Sequence, residues 1–203
     1  MTGGAGMSSR PRVILLRHGE TAWSKEGRHT GRSDIPLTVA GVRQAQAAGP
    51  RLAGVDVDRV LVSPLIRARQ TCELAGQADG AIVEPALVEW DYGEYEGRTS
   101  AEIRAGRPDW SLWRDGCPGG EDAAAVAARV DPVVRRCREE PASWLVVAHG
   151  HQLRVQAARW CGLGPESGAL LQLGTAAICI LGFEHDTPGV RLWNDDGTPL
   201  AGR

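Results

Sequence analysis

The chain predicts an α/β fold: a three-layer α/β/α sandwich with a mostly parallel central sheet, one antiparallel edge strand and a small helical cap insertion. Three observations lead there. The runs Val13-Ile14-Leu15-Leu16 and Leu145-Val146-Val147-Ala148 are continuously apolar rather than alternating, the pattern of strands covered on both faces. Helical periodicity fills the segments between the apolar runs, and such alternation builds parallel sheets. The final apolar runs, near residues 176–183 and 190–193, have no helix between them, so they close the sheet as a hairpin.

Taken in order, Pro11 to Leu16 is the first strand. Leu37 to Ala53 reads as a helix capped by Thr38, with Val39, Val42, Ala45 and Gln46 tracing a small-residue face. Pro50 should end or kink it early. Val60-Leu61-Val62 is a short buried strand stopped by Ser63-Pro64, and Leu65 to Gly76 is the next helix, with Leu65, Ala68, Cys72 and Ala75 at core spacing. Ala81 to Val83 is a further short strand. Residues 87–120 are rich in Trp, Tyr, Gly and acid; they read as an inserted cap with short helices at Thr99–Gly106 and Pro108–Gly116. Glu121 to Glu139 is a long helix whose apolar face carries Val126, Val130, Val133, Val134 and Cys137, with a kink expected at Pro132. Trp144 to Ala148 is a second buried strand, and Gln152 to Cys161 is the helix behind it. Residues 1–9, small, polar and glycine-rich, read as a disordered leader ahead of one domain spanning 10–203.

Composition narrows the function. At 203 residues, 42% hydrophobic and 24% charged, the chain is an ordinary globular protein. A formal charge of -2 argues against a nucleic-acid partner. No apolar run approaches the ~20 residues of a membrane span, and no signal peptide is evident, which together favour a cytoplasmic location. The five cysteines are scattered, without Cys-x-x-Cys pairs, so free thiols in a reducing compartment are expected and zinc spacing is absent.

The chemistry concentrates at strand ends. The first strand delivers Arg17-His18-Gly19, the strand before residue 149 delivers His149-Gly150, and the short strand between them gives Ser63-Pro64 with Arg67 one turn into its helix. Ligands bind at the carboxyl ends of strands in open α/β sheets. A phosphate there would meet two guanidiniums and two imidazoles, a cationic and nucleophilic site that needs no metal. No carboxylate cluster accompanies the histidines, and arginines would repel a cation, so neither a metal nor another cofactor is expected.

These residues fall into ordered motifs: Arg17-His18-Gly19-Glu20-Thr21, Gly31-Arg32-Ser33-Asp34, Ser63-Pro64-Leu65-Ile66-Arg67-Ala68, Glu89 with Tyr92-Gly93 and Glu96-Gly97, then Val147-Ala148-His149-Gly150. In that order they resemble the histidine phosphatase superfamily, also called phosphoglycerate mutase-like, over roughly Val13 to Phe183. The resemblance implies that His18 is a nucleophile forming phosphohistidine, that Arg17, Arg67 and His149 hold the phosphoryl group, and that Glu89 serves as general acid and then base. It maps Ser24, Thr30, Gly31, Tyr92 and Gly150 onto substrate contacts, although Ser24 stands where asparagine is common. It leaves His29 and His151 undecided between the pocket and purely local roles. A homodimer is expected from the resemblance and an available edge strand.

The resemblance also separates two activities. Where mutases carry a lysine after Glu-Gly, this chain reads Arg98-Thr99-Ser100; where they carry Trp-Arg-Arg, it reads Trp113-Arg114-Asp115. An anion in place of a cation suits a bisphosphorylated three-carbon acid poorly. The expectation is therefore a metal-independent phosphatase of small phosphate monoesters, including sugar phosphates, of the acid phosphatase branch. The alternatives are a cofactor-dependent phosphoglycerate mutase and a non-catalytic phospho-ligand regulator. The aromatics Trp90, Tyr92, Tyr95, Trp110 and Trp113 are expected either to wall the pocket or to pack the cap.

Overall fold

The computed structural model describes residues 10–198; the expected leader, residues 1–9, lies outside them. Six strands, β1 (Arg12–Arg17), β2 (Arg59–Val62), β3 (Ile82–Val83), β4 (Ser143–Ala148), β5 (Ile178–Glu184) and β6 (Thr187–Asp195), form one sheet in the order β3-β2-β4-β1-β5-β6. The β3-β2-β4-β1 half is parallel, β5 runs antiparallel to β1, and β6 pairs back on β5. The antiparallel edge is thus the expected hairpin.

Neighbouring side chains of a strand point to opposite faces, and β1 shows what each face meets. Val13 and Leu15 pack with Val133, Val134 and Cys137 of α6 (Ala123–Glu139) and with Leu153 and Ala157 of α7 (Gly150–Trp160). Ile14 and Leu16 pack with Ala48 and Leu52 of α2 (Val39–Leu52) and with Ala68 and Cys72 of α3 (Ile66–Leu74). All four β1 residues are fully buried, which is why the sequence shows a run and not an alternation.

Local signals set most boundaries. Thr38 caps α2 by accepting from the Gly41 N–H, and α2 ends two residues beyond Pro50. The α6 helix begins on Asp122, whose side chain accepts from Ala125, and runs through Pro132. The α1 turn (Ala22–Lys25), unanticipated in the sequence, forms because Thr21 and Ser24 cap each other reciprocally.

Residues 87–120 hold a 3-10 turn at Gly93–Tyr95 and two short α-helices, α4 (Ser100–Gly106) and α5 (Leu112–Asp115). The second is a single turn, where a longer helix was expected from Pro108. A third apolar cluster unites Trp90, Tyr92, Tyr95, Ile103, Trp110 and Leu112 with Val126 and Val130 of α6 and Val155 of α7. The indoles find buried acceptors, Trp90 Nε1 on the Glu121 carbonyl and Trp110 Nε1 on the Gly116 carbonyl, each at 2.9 Å. Because β1 is sealed on both faces, Leu15→Ala should lower the unfolding free energy by ~2–5 kcal/mol, read from urea denaturation.

Candidate active site

Parallel register builds the site. Arg17 of β1 lies opposite Ala148 of β4, and Val62 of β2 lies opposite Val147. The residues that follow, His18, His149 and Ser63, therefore emerge side by side at the carboxyl edge. The His18 and His149 ring centroids are 5.2 Å apart.

His18 is 4% exposed, and its Nδ1 lies 2.7 Å from the Gly19 carbonyl. A carbonyl only accepts, so Nδ1 carries the hydrogen and Nε2 keeps its lone pair. Burial first, then Arg17 and Arg67, hold the His18 pKa well below the usual 6.5, against a smaller opposing effect of the Gly19 carbonyl. The ring is neutral and of fixed tautomer. Gly19 permits this approach: a Cβ there would collide with the Gly41 carbonyl, and the Gly19 N–H donates to Thr71 Oγ1 at 3.0 Å.

His149 and Arg67, both fully buried, stand behind His18. Arg67 Nε donates to His149 Nδ1 at 3.2 Å, Nη1 to the Ser33 carbonyl at 2.9 Å, and Nη2 to the Thr30 and Gly31 carbonyls at 3.0 Å each. One Arg67 N–H stays uncommitted. With Nδ1 accepting, the His149 hydrogen sits on Nε2, 2.7 Å from Ser63 Oγ. Burial and then Arg67 keep this ring, too, well below the ordinary histidine pKa.

Glu89 is 5% exposed. Its Oε1 accepts from the Trp90 and Gln152 N–H groups at 2.8 and 2.9 Å, and Oε2 from the His151 N–H at 3.1 Å. Two of these donors belong to the first turn of α7, so Glu89 caps that helix from a distant segment. This explains why α7 starts two residues before the sequence suggests. An oxygen site on Oε2 remains for a substrate.

A cavity of about 250 Å³ is lined by Arg17, His18, Glu89, Gly150, Ser24, Thr30 and Tyr92 among others, whereas the fully buried Arg67 and His149 do not line it. Arg17 gives one donor to the Leu173 carbonyl, while its buried Nε has no partner. A groove of about 390 Å³ between α3 and β3 holds none of this chemistry. The Ser24 hydroxyl is spent on Thr21. Gly31 does not line the cavity; its N–H goes to the Glu96 carboxylate at 2.9 Å and its carbonyl to Arg67, so it shapes the loop and offers a substrate nothing. Of the five aromatics, only Tyr92 reaches the cavity. The other four pack the apolar cluster beside α6, because indole burial outweighs exposure at a polar mouth.

Several lining residues were left open or unnamed by the sequence. His29, at least as readily read as a solvated loop residue, is 8% exposed and lines the cavity; burial and then Arg104 bring its pKa to about 4. His151 also lines it, its Nδ1 2.6 Å from the Tyr92 hydroxyl. Arg154 lies over the Trp113 ring, 4.6 Å from the centroid. The signal for Arg154 was present, since residues 150 and 154 share one helical face. Ser100 lines the cavity, whereas exposed Arg114 bonds Asp115 and the Asp109 carbonyl instead.

A neutral, buried imidazole beside an arginine at the ends of parallel strands is an arrangement suited to phosphoryl chemistry. The chain belongs to the histidine phosphatase superfamily (branch 1), whose model matches residues 13–196, and it is a phosphatase. An acid phosphatase of Mycobacterium tuberculosis is 45% identical over 89% of each chain. The sedoheptulose 1,7-bisphosphatase of Saccharomyces cerevisiae is 34% identical over 77% of this chain and 70% of its own. A 2,3-bisphosphoglycerate-dependent phosphoglycerate mutase of Methylobacterium sp. is also 34% identical, over 86% of this chain and 92% of its own. A solved Mycobacterium tuberculosis structure, from a functionally characterised open reading frame, superposes with a TM-score of 0.88 at 42% identity, covering 93% of this chain and 99% of that one.

Two measurements follow from the buried imidazoles. Nitrogen NMR should show His18 neutral at pH 6, and Arg17→Met should raise its pKa, because a repelling cation is gone. The folded pKa of His29, about 4, lies below the unfolded value of 6.5. Its neutral burial therefore stabilises fully above pH 6.5 and that contribution is lost as pH falls toward 4. In urea titrations, His29→Gln should lose about 2 kcal/mol less than the parent between pH 7 and pH 5.

Proposed function

We propose that the protein hydrolyses small phosphate monoesters, sugar phosphates among them, without a metal and through a phosphohistidine on His18. The observation that carries this is the His18 ring itself: Nδ1–H locked on the Gly19 carbonyl, charge suppressed by burial and two arginines, and a place on the same cavity wall as Arg17, whose buried Nε has no partner.

In this reading His18 Nε2 attacks phosphorus, forming the N–P bond as the ester P–O bond breaks. Glu89 in its protonated form gives its proton to the departing oxygen. Arg17 takes phosphoryl oxygens, and the positive end of α7 at Gly150 favours the same anion. Arg67 supplies its uncommitted N–H, and His149 turns its Nε2–H from Ser63 to the phosphoryl group. Water then enters where the alcohol left; the Glu89 carboxylate takes its proton, the new O–P bond forms, and the N–P bond breaks to release phosphate and neutral His18. One carboxyl serves both steps because both oxygens occupy one place.

Ser100 in the cavity and Arg114 turned away from it favour hydrolysis over mutase action, since a second anionic group meets fewer cations. Five free thiols, four of them buried, support a cytoplasmic location, and the exposed edge residues Ile82 and Val83 of β3 support a homodimer.

Phosphate release from a panel of monoesters should persist with a chelator and disappear in His18→Ala, and rapid acid-free quenching should trap a phosphoenzyme only in the parent. Activity lost to the chelator, or kept by His18→Ala, would overturn the mechanism. Interconversion of phosphoglycerates faster than phosphate release would transfer the assignment to a mutase.

A further inference from the structure

Arg129, in the second turn of α6, uses every N–H of its guanidinium. Nε donates to Glu121 Oε1 at 2.8 Å and Nη2 to Glu121 Oε2 at 3.0 Å. Nη1 donates to the Ala86 and Val88 carbonyls at 2.7 and 2.8 Å, and Nη2 also to the Glu89 carbonyl at 3.1 Å. Glu121 continues the grip downstream. Its Oε2 accepts from the Asp91 N–H at 2.8 Å, its own N–H donates to the Asp91 carbonyl at 2.8 Å, and its carbonyl takes the Trp90 indole. One ion pair, its side chains 19% and 15% exposed, thus fastens the backbone on both sides of Glu89.

The Glu89 carboxyl bridges two bodies, its own segment and the α7 terminus, and only the Trp90 bond moves with its own segment. The remaining two bonds draw it toward α7. The relative placement of segment and helix decides which way Oε2 faces, and α6 sets that placement through Arg129. We propose that Arg129 and Glu121 are positioning residues for the proton-transfer step, holding the Glu89 backbone so that its carboxyl reaches both α7 and the leaving oxygen. A displacement near 1 Å at such a group costs up to ~100-fold in rate.

The inference rests on Glu89 as the general acid, and leaving-group chemistry separates the two claims. A 2,4-dinitrophenolate departs without a proton, whereas the alkoxide of glycerol phosphate needs one. Since kcat/KM reports formation of the phosphoenzyme, it should be measured for 2,4-dinitrophenyl phosphate and glycerol phosphate in Arg129→Met, Arg129→Lys, Glu121→Gln and Glu89→Gln. In Arg129→Met and Glu121→Gln, glycerol phosphate should lose ~10–100-fold more than the aryl ester, with partial rescue in Arg129→Lys and the largest selectivity in Glu89→Gln. Equal losses on both substrates, with Glu89→Gln still selective, would reduce the pair to a purely structural clamp and overturn the proposal. A non-selective Glu89→Gln would instead overturn the reading of Glu89. Should Arg129→Met fail to fold by circular dichroism, Glu121→Gln, which keeps the side-chain shape, decides.

Discussion

A buried guanidinium without an ion-pair partner organises the active end of this molecule. Arg67 is fully buried, and among the described residues no carboxylate lies within salt-bridge distance of it. Desolvation lowers its pKa, with Glu89 the leading opposing charge. A cation so placed survives because carbonyls and an imidazole replace its water. The acceptors come from two distant parts of the chain: the loop at residues 30–33, and His149 at the end of β4. The loop is held from its other side by Glu96, which takes the Gly31 and Ser33 N–H groups. Donors and acceptors of one loop are thereby satisfied by opposite charges, and the site inherits its rigidity from that pairing.

The neutrality of the imidazoles is a second consequence. His18 and His149 are pressed by burial and by the same two arginines, so the positive field that would favour an anion in the cavity also keeps both imidazoles neutral.

How far the sequence spoke depended on the range of the interaction. The strands were legible because β1 and β4 are covered on both faces and so appear as unbroken apolar runs. His18, Arg17 and Glu89 could be named because motifs are local. What stayed hidden is non-local. The start of α7 depends on a carboxylate 61 residues earlier than Gly150, Glu89. The burial of His29 depends on contacts with Tyr92 and Trp110. Gly31 matched a motif yet spends its N–H on Glu96, because a motif gives residue order without saying which partner a backbone group meets. The aromatic segment read equally as wall or core, and only the packing against Val126 and Val130 decides it.

The chain departs from the sheet side at Asp91 and comes back at Glu121, where the two backbones are directly bonded through the Glu121 N–H and the Asp91 carbonyl. Everything between is a closed loop with its ends already joined. Lengthening such a loop is entropically cheap, about 0.6 kcal/mol for each doubling, and its ends need not shift when its contents change. With the Glu96 anchor kept, the rest of the intervening segment is therefore an exchangeable part: evolution or design can swap what overhangs the cavity mouth while His18, the arginines and Glu89 keep their places.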